Sequence, residues 1–221
     1  MRSIVVVFLL VISSSFAQEL LPFHGKLVYD VQICDTNLKT MIPNREMVIY
    51  TDDTLLRIEN TSLQLGQQVM IKHMVLNKSY LLLETPINNY AIQTDHNTQK
   101  RDTFPYTFEK KWGKRKIAGQ KAKRLNVKHA EFEEPMEFLY LKNRSTKYLN
   151  SFDDFPGLLV KYYVPTVDGL YVYTLKSMET MVPEHDLFGI PSDFKKVTFD
   201  QFMDEIMNFN PEAPEGEHPH E

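Results

Sequence analysis

Histidines, acids and a single cysteine are the side chains that most readily do chemistry, and in this sequence they stand apart. His73, His96, His129 and His185 each lack a second ligand at metal-binding spacing. His218 and His220 lie among carboxylates in the closing PEAPEGEHPHE, which reads as a solvated tail rather than a metal site. Asp153-Asp154 resembles an acid–base pair only on paper: neighbours on a strand point to opposite faces, and on a loop both are solvated. Cys34 is the only cysteine, so an intrachain disulfide and a cysteine-rich zinc site are both excluded, and it is expected as a small buried residue at the end of a strand. There is no Gly-rich phosphate loop, no GxSxG elbow and no HExxH. The expectation is a non-catalytic protein with no metal and no cofactor.

The strongest local signal is electrostatic. KKWGKRKIAGQKAKRLNVK, from Lys110 to Lys128, holds nine Lys or Arg and no acid, in a chain with 25 basic and 29 acidic side chains. Directly after it, HAEFEEPMEFLYL supplies Glu131, Glu133, Glu134 and Glu137 without a single Lys or Arg. If the two segments are neighbours in a meander, opposite charges meet across the pair at a few tenths of a kcal/mol each. Charge pairing within a sheet is therefore the first reading, and contact with anionic lipid headgroups or a partner the second. Nucleic acid comes last, because a basic surface diluted by adjacent carboxylates suits it poorly.

The N-terminus bears on the compartment. MRSIVVVFLLVISSSFAQE has Arg2, an apolar run from Ile4 to Ile12, and small residues ending Ser15-Phe16-Ala17, the order of a secretory signal peptide. The run is far shorter than the roughly 20 residues a membrane-spanning helix needs. Residues 1–17 are expected to be removed before Gln18, giving an exported, periplasmic or secreted protein with no transmembrane segment in the mature chain. Residues 18–209 read as one domain, and 210–221 as a disordered acidic tail.

The elements that would position any site are mostly strands. GKLVYDVQI places Leu27, Tyr29, Val31 and Ile33 on one face. REMVIYTDDTLLRIE reads as two strands turning at Asp52-Asp53, QQVMIKHMVLNKSYLLLET as a hairpin turning near Asn77-Lys78, and GLLVKYYVPTVDGLYVYTLKSM as one turning at Asp168-Gly169. Gly119 is expected at a turn or bulge within the basic stretch. Short connections favour antiparallel pairing. MVIY and SYLLLE are apolar on both faces, so helices, a second sheet or an apolar ligand must cover both. Near the C-terminus VTFDQFMDEIM reads as an amphipathic helix. Thr198 and Gln201 form a capping box, and Phe199, Phe202, Met203 and Ile206 make one apolar stripe.

Four short segments resemble a group of exported Bacteroidota proteins of unknown function that carry the so-called GLPGLI motif: GKLVYDV, KKWGKRKIAGQKAKRLNV, SFDDFPGLLVKYYV and ETMVPEHDLFGIPSDFKKVTFDQF. Ile117-Ala118-Gly119, Phe155-Pro156-Gly157-Leu158 and Phe188-Gly189-Ile190-Pro191 occupy the motif positions. The sequence departs from the fuller motif at Phe155 and Leu159, and at Gln120, where an aromatic is common. Such proteins are similar in plan to the lipoprotein carriers LolA and LolB. The resemblance implies a mainly β fold (α+β): a curved, incompletely closed antiparallel β-barrel around an apolar cavity, with an amphipathic C-terminal helix.

The functional expectation is a binding or carrier protein for a lipid, a lipoprotein or another hydrophobic small molecule. The alternative is an accessory subunit or interaction module that binds an envelope protein. The candidate ligand-binding rows are Leu27, Tyr29 and Val31, then Tyr90 and Ile92, Phe138 and Tyr140, and Leu158, Val160 and Tyr162, with Phe199 and Phe202 of the helix closing or edging the cavity.

Overall fold

A computed structural model describes residues 20–35, 39–62, 66–94, 105–149, 152–167 and 169–208. The expected leader, the acidic tail, His96, His218, His220 and Asp168 lie outside these residues. Strands β1 (Gly25–Cys34), β2 (Thr40–Thr51), β3 (Leu55–Ser62), β4 (Gly66–His73), β5 (Lys78–Glu84) and β6 (Asn89–Gln93) form one antiparallel meander. β7 (Thr107–Ile117), β8 (Gln120–Lys128), β9 (Met136–Leu141), β10 (Leu158–Thr166) and β11 (Gly169–Thr180) form a second. Pairing of β1 with β11 joins them, and β12 (Lys195–Thr198) adds parallel to β6. The result is a curved, open sheet of 12 strands with β7 and β12 at its edges, an incompletely closed barrel as expected. Helix α1 (Phe199–Met207) follows β12 directly.

Turn chemistry explains the hairpins. At the β2–β3 turn the Asp52 carboxylate accepts from the backbone N–H groups of Thr54 (2.9 Å) and Leu55 (2.6 Å), while Asp53 takes a positive φ of 76°. Ala118 (φ 45°) and Gly119 (φ 75°) link β7 to β8; both central residues having positive φ is the type I′ geometry that matches the twist of the flanking strands. Gly157, in the Phe155–Leu158 motif, is needed for a different reason: a Cβ there would lie 2.2 Å from the carbonyl oxygen of Leu141.

Of the two-sided apolar strands, β2 has Met47 and Ile49 facing the main core, whereas β5 is covered on both faces by the C-terminal segment, which wraps the β12 edge. On one face Ile190 and Phe194 pack on Val69, Ile71, Leu82 and Ala91, and Arg57 Nη1 donates to the Leu187 carbonyl at 3.0 Å. Past β12 the chain reaches the opposite face, where α1 lays Phe202 on Leu83, Tyr90, Ile92 and Val197. Thr198 and Gln201 form the expected capping box, with bonds of 3.2 and 2.9 Å. Glu205 ties the helix down, accepting from Tyr90 Oη (3.0 Å) and pairing with Lys195 Nζ (2.6 Å).

The main core lies against β1, β2 and β8–β11. The segment between β9 and β10 lays Tyr148, Phe152 and Phe155 into it, and Phe23 enters from the N-terminal side. Phe138 stacks on Phe155 at 5.8 Å and Tyr162 on Tyr173 at 4.6 Å.

Candidate functional site: an apolar row across the sheet

The ten strand residues expected to contact a ligand each keep 3% or less of their surface exposed. The structure gathers them into two groups. Leu27, Tyr29, Val31, Phe138, Tyr140, Leu158, Val160 and Tyr162 belong to the main core, whereas Tyr90 and Ile92 belong with Phe202 to the cluster under α1. Tyr29 Oη donates to the Leu159 carbonyl at 2.8 Å, and its ring meets Tyr162 edge-on. Burial holds the Tyr29 and Tyr162 hydroxyls well above the ordinary phenol pKa. Phe199 is 58% exposed, so of the two helix residues Phe202 alone reaches a core cluster.

Between the two groups runs a row that strand register defines. Val197 pairs with Ile92, Ile92 with Leu81, Leu81 with Met70, Met70 with Ile58, Ile58 with Ile49, and Ile49 with Leu27. Directly opposed residues share a face of the sheet. The ends of the row are buried: Val197 and Ile92 at one, Ile49 and Leu27 at the other. Its middle, Leu81, Met70 and Ile58, is half-buried. At about 4.8 Å per strand, Ile49 to Ile92 spans roughly 19 Å.

Lys72 stands beside the row. It lies two residues beyond Met70 on β4, hence on the same face, and pairs with Leu56 and Ser79. Desolvation lowers its pKa, partly opposed by the charge of Asp153. Among the described residues no carboxylate comes within ion-pair distance of it. The face therefore combines a half-open apolar strip with one partly desolvated ammonium, the composition of a site for an apolar ligand with a polar end.

Lys147 and Tyr148, after β9, are held to the β2–β3 turn by a polar clasp. Asp53 pairs with Lys147 Nζ at 2.8 Å and accepts from the Tyr148 hydroxyl and from the Phe23 N–H at 3.3 Å. Desolvation works against the Asp53 charge, but these donors prevail and hold its pKa below the usual carboxylate value.

The basic stretch forms the expected sheet hairpin, β7 and β8 with Gly119 at its turn, but the charge pairing is narrower than expected. Glu131, Glu133 and Glu134 sit in the loop before β9 rather than within it, so they cannot oppose β8. Among the described residues, Glu137 takes the load. It accepts from Arg124 Nε at 2.7 Å and again from its Nη2, with Lys111 at 3.7 Å and Arg115 at 3.8 Å. Despite desolvation, those cations keep its carboxyl below the ordinary range.

Among the described residues, the remaining chemistry-bearing side chains do not converge. Cys34 is a buried free thiol. Asp153 and Asp154 are exposed. His73 Nδ1 accepts from the Leu76 N–H (3.3 Å) and His129 Nδ1 from the Glu131 N–H (3.2 Å). Among the described residues no three His, Cys, Asp or Glu cluster at metal-binding distance, and no helix is long and apolar enough to cross a membrane. Sequence reasoning did not single out Met70, Leu81, Ile58, Lys72 or Trp112. The alternation in VMIKH, which sets Met70 and Lys72 on one face, was the available signal for two of them.

Comparison with known proteins defines the fold but not the activity. No family model matches the chain, and no curated protein does. A solved structure of PNGF-II in a P21 space group superposes with a TM-score of 0.51 at 14% identity. The match covers 83% of this chain but 33% of that one, so this chain corresponds to about a third of that protein. At that identity the likeness concerns the fold alone.

Proposed function

We propose that this protein is a non-catalytic binding or carrier protein for a lipid or another hydrophobic ligand, acting after export in the cell envelope. The observation that carries the reading is the cross-sheet row, buried at both ends and half-open at Ile58, Met70 and Leu81. A solvated strip of this kind is favourable to cover, at about 25 cal/mol per Å² of apolar surface removed from water. Lys72 would orient the ligand by bonding an anionic or carbonyl head. The likeness of four sequence segments to the GLPGLI proteins, and through them to lipoprotein carriers, supports the same class of ligand.

This reading differs from the sequence-based one in where the ligand lies. The residues expected to line a cavity serve as the packed floor, and the ligand rests on the row between the two clusters. The test is native mass spectrometry of the protein purified from an exporting bacterial host, followed by solvent extraction. A stoichiometric lipid released on extraction supports the carrier. A co-purifying envelope protein with no lipid would instead favour an accessory subunit whose partner covers the row.

A further inference from the structure

We propose that the β7–β8 hairpin docks the protein on an anionic lipid surface, with Trp112 seated at the membrane interface. This goes beyond the carrier reading, because the surface lies at the β7 edge and is tested without loading the row. Lysines on an edge strand have an ordinary explanation: they prevent strand-to-strand aggregation. That explanation does not extend to Trp112, which is 95% exposed in the middle of this basic strand. A large amphipathic ring set in water among cations matches the interfacial zone of a bilayer, where tryptophan is enriched.

The exposure of Trp112 is built into the backbone. The register of β7 against β8 shifts between Lys111 and Lys114, and Gly113 takes φ 96°, so a bulge re-aims the side chain. Arg124 fixes the bulge, donating Nη1 to the Trp112 carbonyl at 3.2 Å while its other nitrogens hold Glu137. Beside the indole lies an open hollow of about 520 Å³, lined by Lys110, Lys114, Lys123, Arg124 and Tyr140 together with Trp112.

Charge complementarity identifies the occupant. Glu137 neutralises what it can of Lys111, Arg115 and Arg124. Among the described residues, Lys110, Lys114, Lys116, Lys121, Lys123 and Lys128 have no carboxylate within 4 Å. A phosphate-bearing headgroup in the hollow would meet several of these ammonium groups at once. Single-stranded nucleic acid also meets lysines and an aromatic ring, but its binding surfaces offer successive stacking platforms, and this hairpin presents one exposed indole.

Trp112 is the sole tryptophan of the chain, so intrinsic emission reports on this residue alone. Phosphatidylcholine vesicles containing phosphatidylglycerol should shift that emission to the blue and shield it from acrylamide, and added salt should reverse both. Each basic residue near an anionic surface contributes about fivefold to binding. The triple variant Lys110→Gln/Lys114→Gln/Lys123→Gln should therefore lose on the order of a hundredfold in vesicle affinity while keeping the wild-type urea midpoint. If that variant fails to fold, the wild-type comparison of vesicles with and without phosphatidylglycerol still decides. Equal binding to pure phosphatidylcholine, or vesicle binding with unshifted emission, would overturn the proposal. So would a single-stranded oligonucleotide that shifts the emission at lower phosphate concentration than the vesicles do.

Discussion

Replacing Asp53 with Asn removes one charge from the clasp and leaves its shape. Asn tolerates the positive φ of this turn position better than most residues, so the φ of 76° adds little strain. One bond would fall from charged to neutral strength, that from the Tyr148 hydroxyl; the Phe23 N–H keeps its nearer acceptor, Tyr148 Oη at 2.8 Å. The difference is about 1 kcal/mol. The pair with Lys147, 40% exposed on the lysine side, contributes at most about 1 kcal/mol more. The expected loss at neutral pH is about 1–2 kcal/mol, read as the urea-unfolding difference between wild type and variant. The sign with pH follows from the lowered pKa of Asp53. Its contribution is complete above the unfolded-state carboxylate value of about 3.9 and is lost as pH falls through the lower folded-state value. The two proteins should therefore converge in acid. A difference that is independent of pH, or below about 0.5 kcal/mol at neutrality, would refute the assignment of Asp53 as a charged clasp.

Three further outcomes follow from the packing. Leu27→Ala, at a fully buried position, should cost about 2–5 kcal/mol in urea unfolding, because the floor of the row is close-packed. Thr198→Ala should lower stability by about 1 kcal/mol by removing the cap of α1, seen in thermal unfolding. Lys72→Met should leave stability unchanged or slightly higher, since it relieves a desolvated charge. It should also weaken a carboxylate-headed probe about tenfold, the worth of a charged hydrogen bond of about 1.5 kcal/mol, without affecting the neutral alcohol analogue in the same titration.

What the sequence made legible was local. The alternation in GKLVYDVQI, the Asp52-Asp53 turn and the Thr198–Gln201 box are short-range signals, and each appears in the structure with its expected bonds. The two-sided apolarity of SYLLLE announced that something must cover both faces. It did not reveal that one C-terminal segment does so by rounding the β12 edge, because the parallel pairing of β12 with β6 joins residues about a hundred positions apart. The basic stretch is legible as a sheet face turning at Gly119, but its charge partners are not, for a related reason. Composition placed four glutamates next to it, but only Glu137 falls within β9 where it can reach Arg124. The candidate site was legible in type rather than in place. Apolar rows are legible, yet which members are buried and which stay half-open depends on how α1 and the rings of Tyr148, Phe152 and Phe155 cover the sheet. No periodicity within a strand encodes that.

The most direct test of the carrier reading is equilibrium titration of the delipidated protein with a fluorescent fatty acid, compared with Met70→Asp. Met70 is half-buried at the middle of the row, so the aspartate should cost on the order of 1 kcal/mol in urea unfolding and leave the protein folded, while its carboxylate would have to be desolvated further beneath any bound chain. Saturable uptake by the wild type, weakened at least tenfold in the variant, is the predicted result. No saturable uptake by the wild type, or equal uptake by both proteins, would contradict it.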